Sequence, residues 1–268
     1  MASGFPRFQA KTFPDLIRVA ADTPIEEKGD VLRTPNQIPP TPISPADLAI
    51  FEEQFRQHLT ELLATLDRIG AQDLVVEGGH IYGDDVPTDR HWDEMRKTAL
   101  LTAFLEKYGH TVTGLLFIDD YHPEKNTLDV DAYCNEAARL GWDIDHIVYE
   151  NDMIPLADTM LKTLHRVARV MPEGDGFILN RGARRVHLKT PDKGDWSCAL
   201  LDAALNWLKF DSLEAHAVIN VLPRQWRGQQ RNTRDILRAA FGHKALPYFN
   251  FFSDANGSAV TGAPHEFR

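Results

Sequence analysis

Short apolar runs alternate along this chain with longer segments whose apolar positions recur every three or four residues. The run at 74–77 is followed by a segment carrying Trp92, Met95, Leu101, Phe104, Leu105 and Tyr108, which stops at Gly109. The run at 112–118 is followed by Ala132, Tyr133, Ala137 and Leu140, which stop at Gly141. The run at 144–149 is followed by a segment over 155–170 that carries Leu156, Met160, Leu164 and Val167. Short continuous runs fit buried strands, and the three-to-four spacing fits helices with one apolar face. Thr88 or Asp89 and Asp129 stand where helix N-caps belong, and the two glycines stand where helices end. Strand–helix alternation with short connections predicts a mainly parallel sheet with right-handed crossovers and helices on both faces. The expected fold class is therefore α/β and Rossmann-like.

Ahead of this unit, Ser44-Pro45-Ala46-Asp47 opens a helix: the serine caps, the proline suits the first helical position, and the aspartate favours the positive helix end. Leu48, Phe51, Phe55, Leu62, Leu66 and Ile69 predict one continuous helix ended by Gly70. After the third repeat the pattern changes. Runs at 176–180 and 184–188, joined by Arg181-Gly182-Ala183, predict a β-hairpin insertion near 176–189. A helix beginning at Asp195 or Ser197 follows, with Leu200, Leu201, Ala204, Leu205 and Leu208 inward. A strand at 215–222, a helix at 229–241 and a strand at 246–252 complete the pattern.

Seven prolines between Pro6 and Pro42 leave residues 1–44 irregular apart from a short helix near 14–21, an arm that lies on the domain or is disordered, or else serves as a dimerisation arm or active-site cover. The expected organisation is that arm, a single α/β domain over 45–253, and a mobile tail over 254–268. A chain of 268 residues with 43% hydrophobic and 25% charged composition buries a core without disulfides or structural metal.

Net charge is −10 at pH 7, against a general role on DNA or anionic membranes. Two cysteines, Cys134 and Cys198, make no disulfide framework, which suggests a reducing, cytoplasmic setting. No apolar run is long enough to span a membrane, and the first residues lack the pattern of a signal peptide.

The chemistry expected of such a sheet lies beyond the C-terminal ends of its strands. That edge carries Glu77 and His80, then Asp119, Asp120 and His122, then Glu150 and Asp152. Carboxylates and imidazoles there suit acid/base catalysis, ribose binding or a divalent cation, with Mg²⁺ or Mn²⁺ on Asp119, Asp120 and His122 the fitting choice. Carboxylates can equally cap helices or make turns. Gly78 and Gly79 would let a ligand approach the backbone, or simply form a tight turn. Asp119-Asp120-Tyr121-His122 is similar to the DDYH stretch of the uridine kinase and phosphoribulokinase group. The Gly-rich phosphate loop those enzymes need upstream is absent, so no family is assigned.

The segment 223–234, PRQWRGQQRNTR, is basic within an acidic chain. Arg224, Arg227 and Arg231 suit phosphate or carboxylate, and Trp226 could stack on a base. Arg181, Arg184 and Arg185 form a second basic group. Ser197 and Cys198 at a helix start suggest a nucleophile, with His187 as base, or a cap and a packed thiol.

Three functions fit. The first is an enzyme, a transferase or hydrolase, acting on an anionic, nucleotide- or phosphate-bearing small substrate. The second is an acyl or aminoacyl transferase whose carboxylates bind an amine and whose arginines hold a carrier such as tRNA or coenzyme A. The third is a non-catalytic ligand-binding or scaffold protein. RNA binding through 224–234 and homo-oligomer formation are further expectations.

Overall fold

The computed structural model describes residues 31–120, 125–168, 170–181, 184–241, 247–253 and 260–261. Helices α1 (Pro45–Gln54) and α2 (Arg56–Ile69) lead into strand β1 (Asp73–Tyr82), α3 (Asp89–Lys107), β2 (Thr111–Asp119), α4 (Val130–Arg139) and β3 (His146–Tyr149). A 3-10 turn, Glu150–Met153, precedes α5 (Ile154–Val167) and three antiparallel strands, β4 (Val170–Glu173), β5 (Gly176–Arg181) and β6 (Arg184–Lys189). The chain continues with α6 (Cys198–Asp211), β7 (Ala217–Pro223), a 3-10 turn Arg224–Trp226, α7 (Arg227–Phe241), β8 (Tyr248–Ser253) and β9 (Val260–Thr261).

The main sheet runs β3-β2-β1-β7-β8-β9, parallel from β3 to β8, with β9 antiparallel at the edge. The chain winds outward from β1 to β3, then returns through α5, the three-stranded sheet and α6 to lay β7 beside β1. Strand order therefore reverses between β1 and β7, where an open sheet leaves a crevice at its C-terminal edge.

Alternation along the strands fills both faces. Leu74 and Val76 pack with α2 and α3, and Leu116, Ile118 and Ile147 extend that layer to α4. Val75, Leu115, Phe117 and Val148 point the other way, into a core built by α5, α6, α7 and the three-stranded sheet. Sheet strands covered on both faces must read as continuous apolar runs, which is why they stand out in the sequence.

Four expectations change. The first helix is broken at Phe55, whose φ of −112° and ψ of 16° leave the helical range, and both arms join one apolar cluster on the sheet. The strand expected to end at Glu77 runs on through Gly78-Gly79-His80-Ile81-Tyr82, with a register shift against β2 between Gly78 and Ile81. The helix expected to reach Val170 stops at Val167, and Val170 opens β4, making the hairpin a three-stranded sheet. Residues 260–261, expected in a mobile tail, pair with Phe251 and Phe252 of β8. The expected helix near 14–21 lies outside the described residues. Residues 31–43 form no helix or strand beyond an isolated bridge, in which Arg33 exchanges two backbone hydrogen bonds with Ile147 at the β3 edge.

Candidate functional site

The C-terminal ends of β1, β2 and β3 meet the first turn of α6 and the turn before α7, and a group of titratable side chains collects there. Asp119 ends β2, and Glu150 follows β3 directly. Glu150 is buried, and burial first, then a hydrogen bond and the charge of Asp119, push its carboxyl far above the ordinary range. Glu150 thus keeps its proton beside a second carboxyl, where a further negative charge would be repelled. The Cys198 thiol, solvent-accessible at the start of α6, faces the same acids. Desolvation, then Glu150, Asp202 and Asp119, push it up to about 12. That shift disfavours the thiolate, the form in which a cysteine acts as nucleophile. Ser197 caps α6 through Leu200 N at 3.2 Å, and His187 is turned to Glu173 at 3.6 Å.

His80 lies on the β1 side of this group. Its ring centroid is 5.2 Å from Trp226, 5.5 Å from Phe117 and 5.6 Å from Tyr82. Nε2 is buried without a hydrogen-bond partner among the described residues. Desolvation lowers the imidazole pKa, and Asp119 and Glu77 oppose the shift. A neutral imidazole with an unused nitrogen can take or give a proton. Tyr82, partly exposed at the rim, has its phenol raised by burial and then by Asp119.

Beneath the group lies a buried polar chain at the β1/β7 switch. Glu77 faces Asn220 across the two strands and forms an ion pair with fully buried Lys209. The ammonium also donates to Asn220 Oδ1 at 3.0 Å and Asn206 Oδ1 at 3.2 Å. Asp202, one turn before Asn206, accepts from Gln229 at 2.7 Å and Gln230 at 3.0 Å. Gln230 in turn accepts from the Tyr248 hydroxyl. Burial, aided by the Glu77 charge and opposed by the two glutamine donors and Lys209, raises Asp202 to about 7. Of this chain only Glu77 was singled out from sequence. Asp202, Asn206 and Lys209 recur at helical spacing on α6, a signal that reads as a solvent face until α7 and β7 are seen to cover it.

The other expected residues are placed as follows. Asp120 turns away from Asp119 and accepts from Asn151 N at 2.8 Å, tying the end of β2 to the turn after β3. Burial is the main cause of its raised pKa. Asp152 pairs with Arg33 of the arm at 2.6 Å. The close approach that Gly78 and Gly79 permit is taken by the protein itself. An added Cβ would collide with the Thr98 side chain from Gly78 and meet the Trp142 ring at 2.9 Å from Gly79. His122 lies outside the described residues, as does the Arg224 side chain. Arg227 and Arg231 are exposed on α7. Among the described residues, no three histidine, cysteine or carboxylate side chains form a set able to hold a metal ion.

No family model matches this sequence, and no curated protein matches it. Solved structures do resemble the fold. A Plasmodium falciparum arginyl-tRNA synthetase aligns with a TM-score of 0.52 and 12% identity, over 68% of this chain and 43% of that one. A Thermus thermophilus arginyl-tRNA synthetase aligns with a TM-score of 0.53 and 14% identity, over 92% of this chain and 66% of that one. The chain thus spans 43% to 66% of the length of these structures, and at such identities the likeness is one of α/β fold. Among the described residues, no helix is long and apolar enough to cross a membrane.

Proposed function

We propose that this chain is a group-transfer enzyme of the acyl or aminoacyl type, which binds an amine-bearing substrate at the strand-end acids. Asp119 and Glu150 hold the cationic amine, with the Asp202 charge behind them, and His80 serves as the acid/base. The arginines that open α7 take the anionic carrier or leaving group, whether phosphate, nucleotide or RNA. The observation that carries this reading is Asp119 set against buried Glu150 beside an imidazole whose Nε2 has no partner among the described residues. Clustered carboxyls cost stability until a cation offsets them, and a bound ammonium does so while displacing the proton. Tyr82 and Trp226 add aromatic faces suited to a cation. The arginyl-tRNA synthetase likeness supports this choice at the level of fold alone.

Thermal unfolding against amino acids, diamines and guanidino compounds, with acetate and phosphate as anionic comparisons, tests the assignment. A ligand that binds only the folded chain stabilises it by about 2.7 kcal/mol at a hundredfold excess over its dissociation constant. Amines raise the midpoint, more strongly at pH 8 than at pH 5.5 because binding expels the Glu150 proton. The rise is lost in Glu150→Gln. A wild-type chain stabilised by the anions and indifferent to every amine would favour an anionic small substrate instead.

A further inference from the structure

Arg227, Arg231, Arg234 and Arg238 recur on α7 at helical spacing and form one row along its surface. At a rise of 1.5 Å per residue the row is about 16 Å long. Arg227 and Arg231 are exposed, and Arg234 and Arg238 are half-buried. At its start the row adjoins Trp226, which stands against His80 of the pocket. At its far end it meets the hairpin. Desolvation, then Arg234, with Arg181 and Arg184 contributing, lowers the Arg238 pKa, so four guanidiniums share one neighbourhood. The acid set among them is Asp235, which is buried and paired with Arg184 at 2.6 Å.

We infer that this arginine row and the hairpin end form a track for the phosphodiester backbone of a single-stranded nucleic acid, leading its terminus toward Trp226 and the acid pocket. One phosphate needs only one or two guanidiniums. A row of four, joined by Arg181 and Arg184, suits a repeating anion. Its concentration on one helix face stands against the chain's net charge of −10. No large apolar side chain is exposed on α7, which removes the anchors a membrane-lying helix would use. Trp226 supplies a stacking face where the row reaches the pocket, and stacking tolerates any base. The placement of the terminus rests on the group-transfer reading, whereas the binding itself does not.

The test uses the full chain and fluorescent single-stranded RNA and DNA 12-mers of one sequence, followed by anisotropy from 50 to 200 mM salt. Strand binding weakens with salt at a slope of about −0.7 per phosphate engaged, and three or more engaged phosphates are expected. Arg227→Glu with Arg231→Glu weakens binding at least tenfold while the unfolding midpoint holds. Arg139→Glu, on α4 across the sheet, changes nothing. A terminal 2-aminopurine is quenched on binding, and Trp226→Leu removes the quench. Absent binding, binding indifferent to the double reversal, or equal affinity for polyglutamate would each overturn the inference. The pocket and the track fail separately. A flat amine panel with intact strand binding leaves the track standing, and amine binding without strand binding removes the track alone.

Discussion

At the scale of residues, the most consequential contact is one between charges that no solvent reaches. Lys209 is fully buried, Glu77 nearly so, and Asn206 and Asn220 supply the remaining acceptors. Such a pair adds little beyond an apolar substitute, but breaking it strands a buried charge. Lys209→Met is therefore expected to destabilise the chain by about 3–5 kcal/mol in urea unfolding. Lys209→Met combined with Glu77→Gln should recover much of that loss, and strictly additive losses would show that the two do not act as a pair. The sequence made Glu77 visible because it ends an apolar run. It hid Lys209, because a lysine on an amphipathic helix is normally at the surface. The same limit applies to Asp202 and Asn206, whose helical spacing is plain and whose burial depends on α7 crossing above them.

At the scale of elements, the strands and caps were legible because their physics is local. Ser44, Asp129 and Ser197 cap α1, α4 and α6 with their own side chains. The end of β1 was not legible, since two glycines read as a turn. They are needed because α3 lies hard against the strand there. Gly79 has a φ of +62°, within the left-handed region, and Gly78 sits under Thr98. Gly78→Ala would drive a methyl into the Thr98 side chain and the backbone of α3 away from β1. We expect it to cost about 1–3 kcal/mol, the usual range for overpacking. Pairing it with Thr98→Ala should relieve most of the loss, and a single variant as stable as wild type would show that α3 sits further from the sheet. Because His80 follows directly, the same displacement should weaken any ligand held at the pocket. The α3–β1 contact is thus part of how the site is positioned. The break between α1 and α2 escaped the reading for a similar reason. Phe51 and Phe55 both stay in register with an apolar face while the backbone turns between them to pack both rings on Phe251.

At the scale of the whole molecule, the acids raise a question of pH that a folded chain with net charge −10 cannot avoid. Burial raises Glu150 far above the ordinary carboxylate range and moves Asp202 and Glu94 to about 7. A carboxyl whose folded pKa lies above its unfolded value keeps a proton that the unfolded chain has released. Its contribution is therefore present below the unfolded pKa and is lost as pH rises toward the folded one. Each such group lowers stability by about 1.4 kcal/mol per pH unit across its window. Between about pH 4.5 and 7 all three act together, and above pH 7 Glu150 continues alone. The stability maximum should accordingly lie on the acidic side of neutrality. Glu150→Gln removes one of these windows while keeping an amide to donate to Asp119. Urea unfolding from pH 5 to 9 should then show the variant gaining on wild type as pH rises, with the largest gap at the alkaline end. Parallel curves would mean that Glu150 does not hold its proton beside Asp119. An amine ligand should close the same gap in the wild-type chain, because a cation between the two carboxyls removes the reason for keeping the proton. The instability of the empty pocket at alkaline pH and its affinity for a cation would then have one electrostatic origin.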